Sequence, residues 1–216
     1  VTYRTAWLRR YYPQEFMAAM LTSVLDNTDK VVGYITECQT GLGFQVLPPS
    51  VNESEEKFTV VGDNVRFGLL AIKNLGSGII QVIIKEREEN GSYGSFNEFC
   101  RRCYGKDLNK RALESLIKSG ACDCFELNRN QMLLMIDEVL LSLENDKKSK
   151  IEGQIGLFDL GSALAKAVEI AAPDVPEMPQ KEKLQNEKLT TGLYMSGHPM
   201  AEYTKLSQAL GSDKTA

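Results

Sequence analysis

A mainly α fold with one small β element is the class this sequence predicts, and three observations predict it. Apolar side chains recur at helical spacing over residues 3–25 and again over 28–40. The period is lost between Gly43 and Gly68, where short extended runs are broken by Pro48-Pro49 and by Asp63-Asn64. It returns from Leu69 to about Glu144 in short pieces punctuated by Gly and Asn.

Taken in order, Trp7, Leu8, Tyr11, Phe16, Met17, Met20, Leu21 and Val24 fit two consecutive buried helices. Pro13 divides them, because its locked φ and missing N–H suit the first position of a new helix. Val31, Val32, Ile35 and Cys38 share one face of a third helix, with Gly41 placed to end it. The runs Phe44–Leu47, Phe58–Val61 and Val65–Phe67 read as a small sheet. Further on, Ser95 and Glu98 form a capping-box pattern, and Asn109 and Asn128 are N-cap candidates. Residues 145–153 are polar and charged, as in a mobile linker. Pro173, Pro176 and Pro179 mark a second linker at 172–180, beyond which 182–195 and 200–210 fit two short helices before a polar tail.

Apolar residues make up 43% of the 216, enough to bury one core or two modest ones. No apolar run approaches the roughly 20 residues that span a bilayer, and Val1-Thr2-Tyr3-Arg4 lacks the order of a signal peptide, so a cytoplasmic location is expected. A start at Val1 in mid-helix without a methionine is expected of an excised fragment. Five cysteines suit free thiols in a reducing compartment. The pairs Cys100/Cys103 and Cys122/Cys124 approach the spacing of a zinc ribbon, but the second pair has one spacer where two is usual. Small buried hydrophobes are the favoured reading, and no metal site is expected.

The net charge of −4 excludes a uniformly basic nucleic-acid binder, but the charge is unevenly spread. Residues 66–120 hold ten Lys/Arg against six acids, a local excess of positive charge. Within that segment, Gly76-Ser77-Gly78 stands between the apolar runs 67–75 and 79–85, a helix-hairpin-helix pattern. The glycines permit a tight turn and a close backbone approach, and the second helix then begins with N–H groups that have no intrahelical acceptor. A DNA phosphate is the anion expected there, with Lys73, Asn74, Gly76, Ser77 and Gly78 as its contacts. A lone glycine hairpin is more often a plain connection between packed helices; a second unit raises the odds. Asn109–Ala121 supplies one, with Lys110, Arg111, Lys118, Ser119 and Gly120 as the matching contacts. The expectation is a tandem module over 67–145 that grips duplex DNA without reading bases and weakens as salt rises.

Gln154-Ile155-Gly156-Leu157-Phe158 follows the charged stretch. Leu157 and Phe158 suit an apolar pocket on a partner, with Ile155 beside them and the Gln154 amide making paired hydrogen bonds, as in docking of short linear peptides. A bacterial sliding clamp is the partner expected. The bland alternative is a stub packed on its own helices.

Several stretches together resemble the alpha subunit of bacterial DNA polymerase III, a C-family replicative polymerase. Tyr3–Leu8, Tyr12–Ala19 and Asp26–Gly33 resemble the end of its fingers domain, and Leu47–Asn52 with Phe67–Gly76 the approach to its tandem helix-hairpin-helix. Leu108–Glu114 and Ile117–Ala121 are similar to its second hairpin, Gln154–Phe158 to its internal clamp-binding motif, and Gly192–Met200 to the stretch leading into its oligonucleotide-binding fold. Cys122 departs from the family, which tends to carry an aromatic there. The resemblance implies fingers-end helices over 1–66, a duplex-binding module over 67–145, a flexible linker with the clamp motif over 146–180, and short helices over 181–216. It also implies that the palm aspartates and their divalent metal, Mg, lie outside this chain, so that the intact protein polymerises, this piece carries no catalytic residue and needs no cofactor of its own, and other replicase subunits are partners. A stand-alone helix-hairpin-helix repair adaptor is the alternative, and a structural helical protein the third.

Overall fold

The computed structural model describes residues 2–25, 27–105, 108–151, 170–197 and 199. Helix α1 (Thr2–Tyr11) leads directly into α2 (Pro13–Ser23), with Pro13 at the first turn as its ring requires. Both were expected to be buried, and α1 is not. It has no buried residue; Tyr3 and Tyr11 are exposed, and Trp7 lies against the rings of Tyr11 and Tyr12 at 5.2 and 5.6 Å. Helix α2 does enter the core, through Met17, Ala18 and Leu21.

Asn27 caps α3 (Thr28–Glu37) by accepting the Lys30 N–H. The helix then widens into a single π turn, Cys38–Leu42, and ends at Gly43, whose φ of 78° is left-handed. Gly41 was expected to end it, but the wider turn moves the left-handed position two residues on.

Three short strands follow: β1 (Val46–Leu47), β2 (Thr59–Val61) and β3 (Asn64–Arg66). They lie in the order β1-β3-β2, with β1 parallel and β2 antiparallel to β3. Val65 is fully buried, opposite Val46 on one side and Val60 on the other. The sheet closes one end of a continuous apolar core that α4 (Ser77–Asn90), α5 (Phe96–Cys103), α6 (Lys110–Ser119) and α7 (Arg129–Ile151) complete.

Local signals place these helices. Ser95 accepts from Glu98 N–H, while the Glu98 carboxylate reaches back to Gly94 N–H, one residue beyond the usual capping box. At α7 the reciprocal pair is complete, with Asn128 accepting from Gln131 N–H and Gln131 from Asn128 N–H. Helix α6 turns Ala112, Leu113, Leu116 and Ile117 inward, each of which loses nearly all contact with water. Burial of each leucine or isoleucine stabilises by about 1.5–3 kcal/mol.

Two expected linkers differ from the structure. Residues 145–151 continue α7, because their three lysines are good helix formers and propagation from an existing helix costs little. Residues 170–179 form no helix, as their prolines dictate, but they are docked. Asn97 donates to Ile170 O, Gln131 to Pro173 O, Asn128 to Val175 O and Asn130 to Pro176 O. This strap leads into α8 (Gln180–Thr191).

Candidate nucleic-acid interface

The approach to α4 is built by close packing. A Cβ on Gly68 would lie 2.5 Å from the Lys57 carbonyl carbon, so only glycine lets the chain cross the backbone before β2. The run 67–75, expected as a helix, is a single 3-10 turn, Leu69–Ala71, followed by an open loop. Asn74 takes the left-handed conformation, with φ at 65°, which asparagine tolerates better than other non-glycine residues. Its amide donates to Ser115 Oγ on α6 at 3.2 Å, and Ile72 and Leu75 on either side are buried.

This leaves Gly76, Ser77 and Gly78 at the surface. Gly76 is the N-cap in extended conformation, with no side-chain cap, and a Cβ there would meet nothing within 4 Å. The first-turn amides of α4 therefore face outward, carrying the partial positive charge of a helix start. Ile79, Ile80, Ile83 and Ile84 anchor the helix behind them. Lys73 is exposed beside the turn, and its ammonium enters no ion pair among the described residues. The first expected set, Lys73, Asn74, Gly76, Ser77 and Gly78, is thus brought together in one exposed loop.

The second set is not equivalent. Lys110 and Arg111 are exposed at the start of α6, where Lys110 Nζ lies 2.6 and 2.8 Å from the Asp137 carboxylate; that contact raises the lysine above its ordinary value, against a smaller desolvation. Lys118 pairs with Glu114 at 3.3 Å. Ser119 and Gly120, expected as phosphate contacts, are buried. The Ser119 hydroxyl donates to Leu116 O, and the Gly120 N–H is taken by the end of its own helix. A Cβ on Gly120, whose φ is 85°, would sit 2.4 Å from Arg129 Nη2. The Arg129 side chain covers this turn at 3% exposure. Its Nε and Nη2 bind both oxygens of Asp123 at 2.7 and 2.6 Å, and its Nη1 lies 2.9 Å from Glu187 Oε1, an ion pair off the hydrogen-bonding direction. Desolvation would lower the Arg129 pKa, but the two carboxylates outweigh it and raise it, so the guanidinium stays charged. The anion at the second hairpin is the protein's own carboxylate.

Of the remaining positions, Gln154, Ile155, Leu157 and Phe158 lie outside the described residues. Cys38, Cys100, Cys103 and Cys122 are buried and Cys124 is exposed. Burial pushes the Cys38 thiol up to about 11 and those of Cys100 and Cys122 well above their ordinary range. Among the described residues no group of three or more His, Cys, Asp or Glu is placed to hold a metal, and no helix is long and apolar enough to cross a membrane.

Residues 43–132, which hold this loop, the uncapped helix and the second hairpin, match the helix-hairpin-helix motif family. The chain is also 40% identical over 215 residues to the DNA polymerase III subunit alpha of Xylella fastidiosa (strain 9a5c), covering 99% of this chain and 18% of that protein. The corresponding Vibrio cholerae subunit is 39% identical over 207 residues, and that of Borreliella burgdorferi 39% over 213, again covering 18% of each. The chain is therefore homologous, along nearly its whole length, to one segment of bacterial DNA polymerase III alpha subunits, and spans about a fifth of their length.

Proposed function

We propose that this chain is the part of a replicative DNA-directed DNA polymerase that holds duplex DNA, and that it acts through the start of α4. The exposed, uncapped N-terminus at Gly76-Ser77-Gly78, with Lys73 beside it, is the observation that carries this reading. A backbone phosphate seated there would accept from the Ser77 and Gly78 amides and lie near the Lys73 ammonium. Such contacts read no base edge, so binding is independent of sequence and set by ionic strength. Of the second set, Arg111 is exposed at the start of α6 and adds positive charge, whereas Lys110 and Lys118 are paired with Asp137 and Glu114.

In the intact protein, metal-dependent nucleotidyl transfer belongs to the polymerase outside this chain, whose share is retention of product. Residues 1–66 correspond to the end of the fingers, 67–145 to the duplex-binding module, and 181–216 to the approach to an oligonucleotide-binding fold. Gln154, Ile155, Leu157 and Phe158 are the contacts to a sliding clamp in the cytoplasm, with further replicase subunits as partners. Two weak contacts made together raise effective concentration, so residence on DNA exceeds what either gives alone. Homology along 99% of this chain to one segment of polymerase alpha subunits favours this reading over a separate repair adaptor.

Fluorescence anisotropy of a labelled duplex, titrated at several salt concentrations, tests the proposal. Lys73→Glu is expected to weaken binding and reduce the salt slope by about one, the share of one phosphate contact. Unaltered affinity and slope in that variant, with its melting temperature preserved, would reject the site.

A further inference from the structure

The Lys73–Gly78 loop enters the core through the buried side chain of Leu75. Its near side rests on α6 through the Asn74–Ser115 bond, but beneath Lys73 there is a cleft lined by Thr28, Val31, Leu70, Ala71 and Thr191. On that side the loop's backbone is held by α8, where the Lys73 N–H donates to Thr190 O at 2.9 Å. The position of the phosphate-facing loop therefore depends on the position of the end of α8.

That end is fixed by a buried charged network. Glu187 is fully buried; its Oε2 accepts from the Met195 and Ser196 amides at 2.7 and 2.9 Å, and its Oε1 faces Arg129. The Glu187 carbonyl takes the hydroxyls of Thr190 and Thr191 at 3.2 and 2.8 Å, so the residue carrying the carboxylate also ties down the turn that holds Lys73. Arg129 is locked in turn by Asp123 and by Lys118 O. At the other end of the segment, Glu177 accepts from Arg129 and Asn130 N–H and caps α7 from outside the helix. Gly192, with φ at 82°, ends α8 so close to α3 that a Cβ would lie 2.2 Å from Thr28 Cγ2.

We propose that the segment 170–197 is a brace built into the DNA-binding module, in which Glu187 and Arg129 are positioning residues that hold the Lys73–Gly78 loop in its phosphate-accepting shape. The inference rests on the proposed function for its DNA consequence, but the mechanical claim stands apart from it. A buried carboxylate with an arginine and two amide partners costs much to desolvate and is strongly directional, which suits placing an element more than stabilising it. Arg129, over the second hairpin, is occupied by Asp123 and by Glu187 of the brace, and the first hairpin is left free to face DNA.

Amide hydrogen exchange on the whole chain tests the brace, with duplex binding measured in parallel. In Glu187→Gln, which keeps an acceptor for the Met195 and Ser196 amides but removes the charge facing Arg129, exchange at the Lys73 amide is expected to accelerate about tenfold or more. Gly192→Ala, which displaces the end of α8 without touching Arg129, is expected to do the same, and it serves should the first variant fold poorly. Met17→Ala, a core change in α2 away from α8, is the control for general loosening and should leave Lys73 protected. Fast exchange at Lys73 in both brace variants but not in the control supports the proposal. Unchanged protection at Lys73 in a folded brace variant, or equal loss in the control, overturns it. If the brace variants loosen Lys73 yet bind duplex as tightly as the parent, the loop does not carry DNA binding and the positioning role falls with it. If the parent itself shows no salt-dependent duplex binding, the function assigned to the loop is wrong, and exchange alone then decides whether the brace exists.

Discussion

Gly76 separates a side chain's effect on folding from its effect on DNA. Its φ of −82° and the open space around it admit any residue, so a substitution there is not strained. Gly76→Asp would cap α4, a change worth a few tenths of a kcal/mol in favour of the fold, yet would place a carboxylate at the proposed phosphate position. The expected result is an equal or higher melting temperature with weaker duplex binding; a parallel loss of both would point to a disturbed helix. Cysteine reactivity is a second prediction at this scale. Desolvation holds the thiols of Cys38, Cys100 and Cys122 up, whereas Cys124 is exposed, its thiol raised by partial burial. Alkylation of the native protein at pH 8 followed by mass mapping is expected to label Cys124 first. Early labelling of Cys100 or Cys122 would mean that the α5 side of the core opens readily. The zinc-like spacing of these cysteines is explained by packing, since Cys100 and Cys103 lie on the buried face of α5.

Among the elements, α6 and α7 show what local pattern encodes and what it does not. Caps at Asn109 and Asn128 and the apolar stripe of α6 were legible because each depends on neighbours within a turn or two. Leu116→Ala is expected to cost about 2–5 kcal/mol in denaturant unfolding, the range for a fully buried leucine in a site that cannot collapse. The burial of Ser119 and Gly120 was not legible, since it is imposed by Arg129 and by Glu187 from α8. The start of α7 also carries a pH dependence. Burial alone would raise the Glu177 pKa, but N–H donors from Met178, Arg129 and Asn130, with Lys183 nearby, outweigh it and hold the carboxyl below its ordinary 4.5. A carboxyl depressed in the folded state adds stability above its unfolded value, and that contribution fades as pH falls through the folded value. Glu177→Gln is expected to destabilise by about 0.5–1 kcal/mol at pH 7 and by little below pH 3. A constant difference across that range would assign the effect to packing.

For the whole molecule, the mainly α class and the three-stranded insert could be read from periodicity and punctuation, whereas the helix expected before Gly76 is a single 3-10 turn and that expected over 200–210 lies outside the described residues. Two departures have a common cause, the absence of tertiary information in local pattern. Helix α1 has the composition of a buried helix but, among the described residues, buries none of its side chains, and the proline strap at 170–179 looks like a linker but is hydrogen-bonded to α5 and α7. The exposed first hairpin and the self-occupied second make the proposed DNA face asymmetric, where sequence symmetry suggested two equal grips. A clamp contact through Leu157 and Phe158 would act with this single grip. Replacing both residues by alanine is expected to abolish capture by a sliding clamp with duplex affinity unchanged; full capture by that variant would remove the peptide from the account. The most direct test of the central claim is a titration of the isotopically labelled chain with duplex DNA, following backbone amide resonances. The Ser77 and Gly78 amides are expected to shift strongly and recover as salt is raised, while Gly120 stays in place. Large shifts at Gly120 with Ser77 and Gly78 unmoved would contradict it.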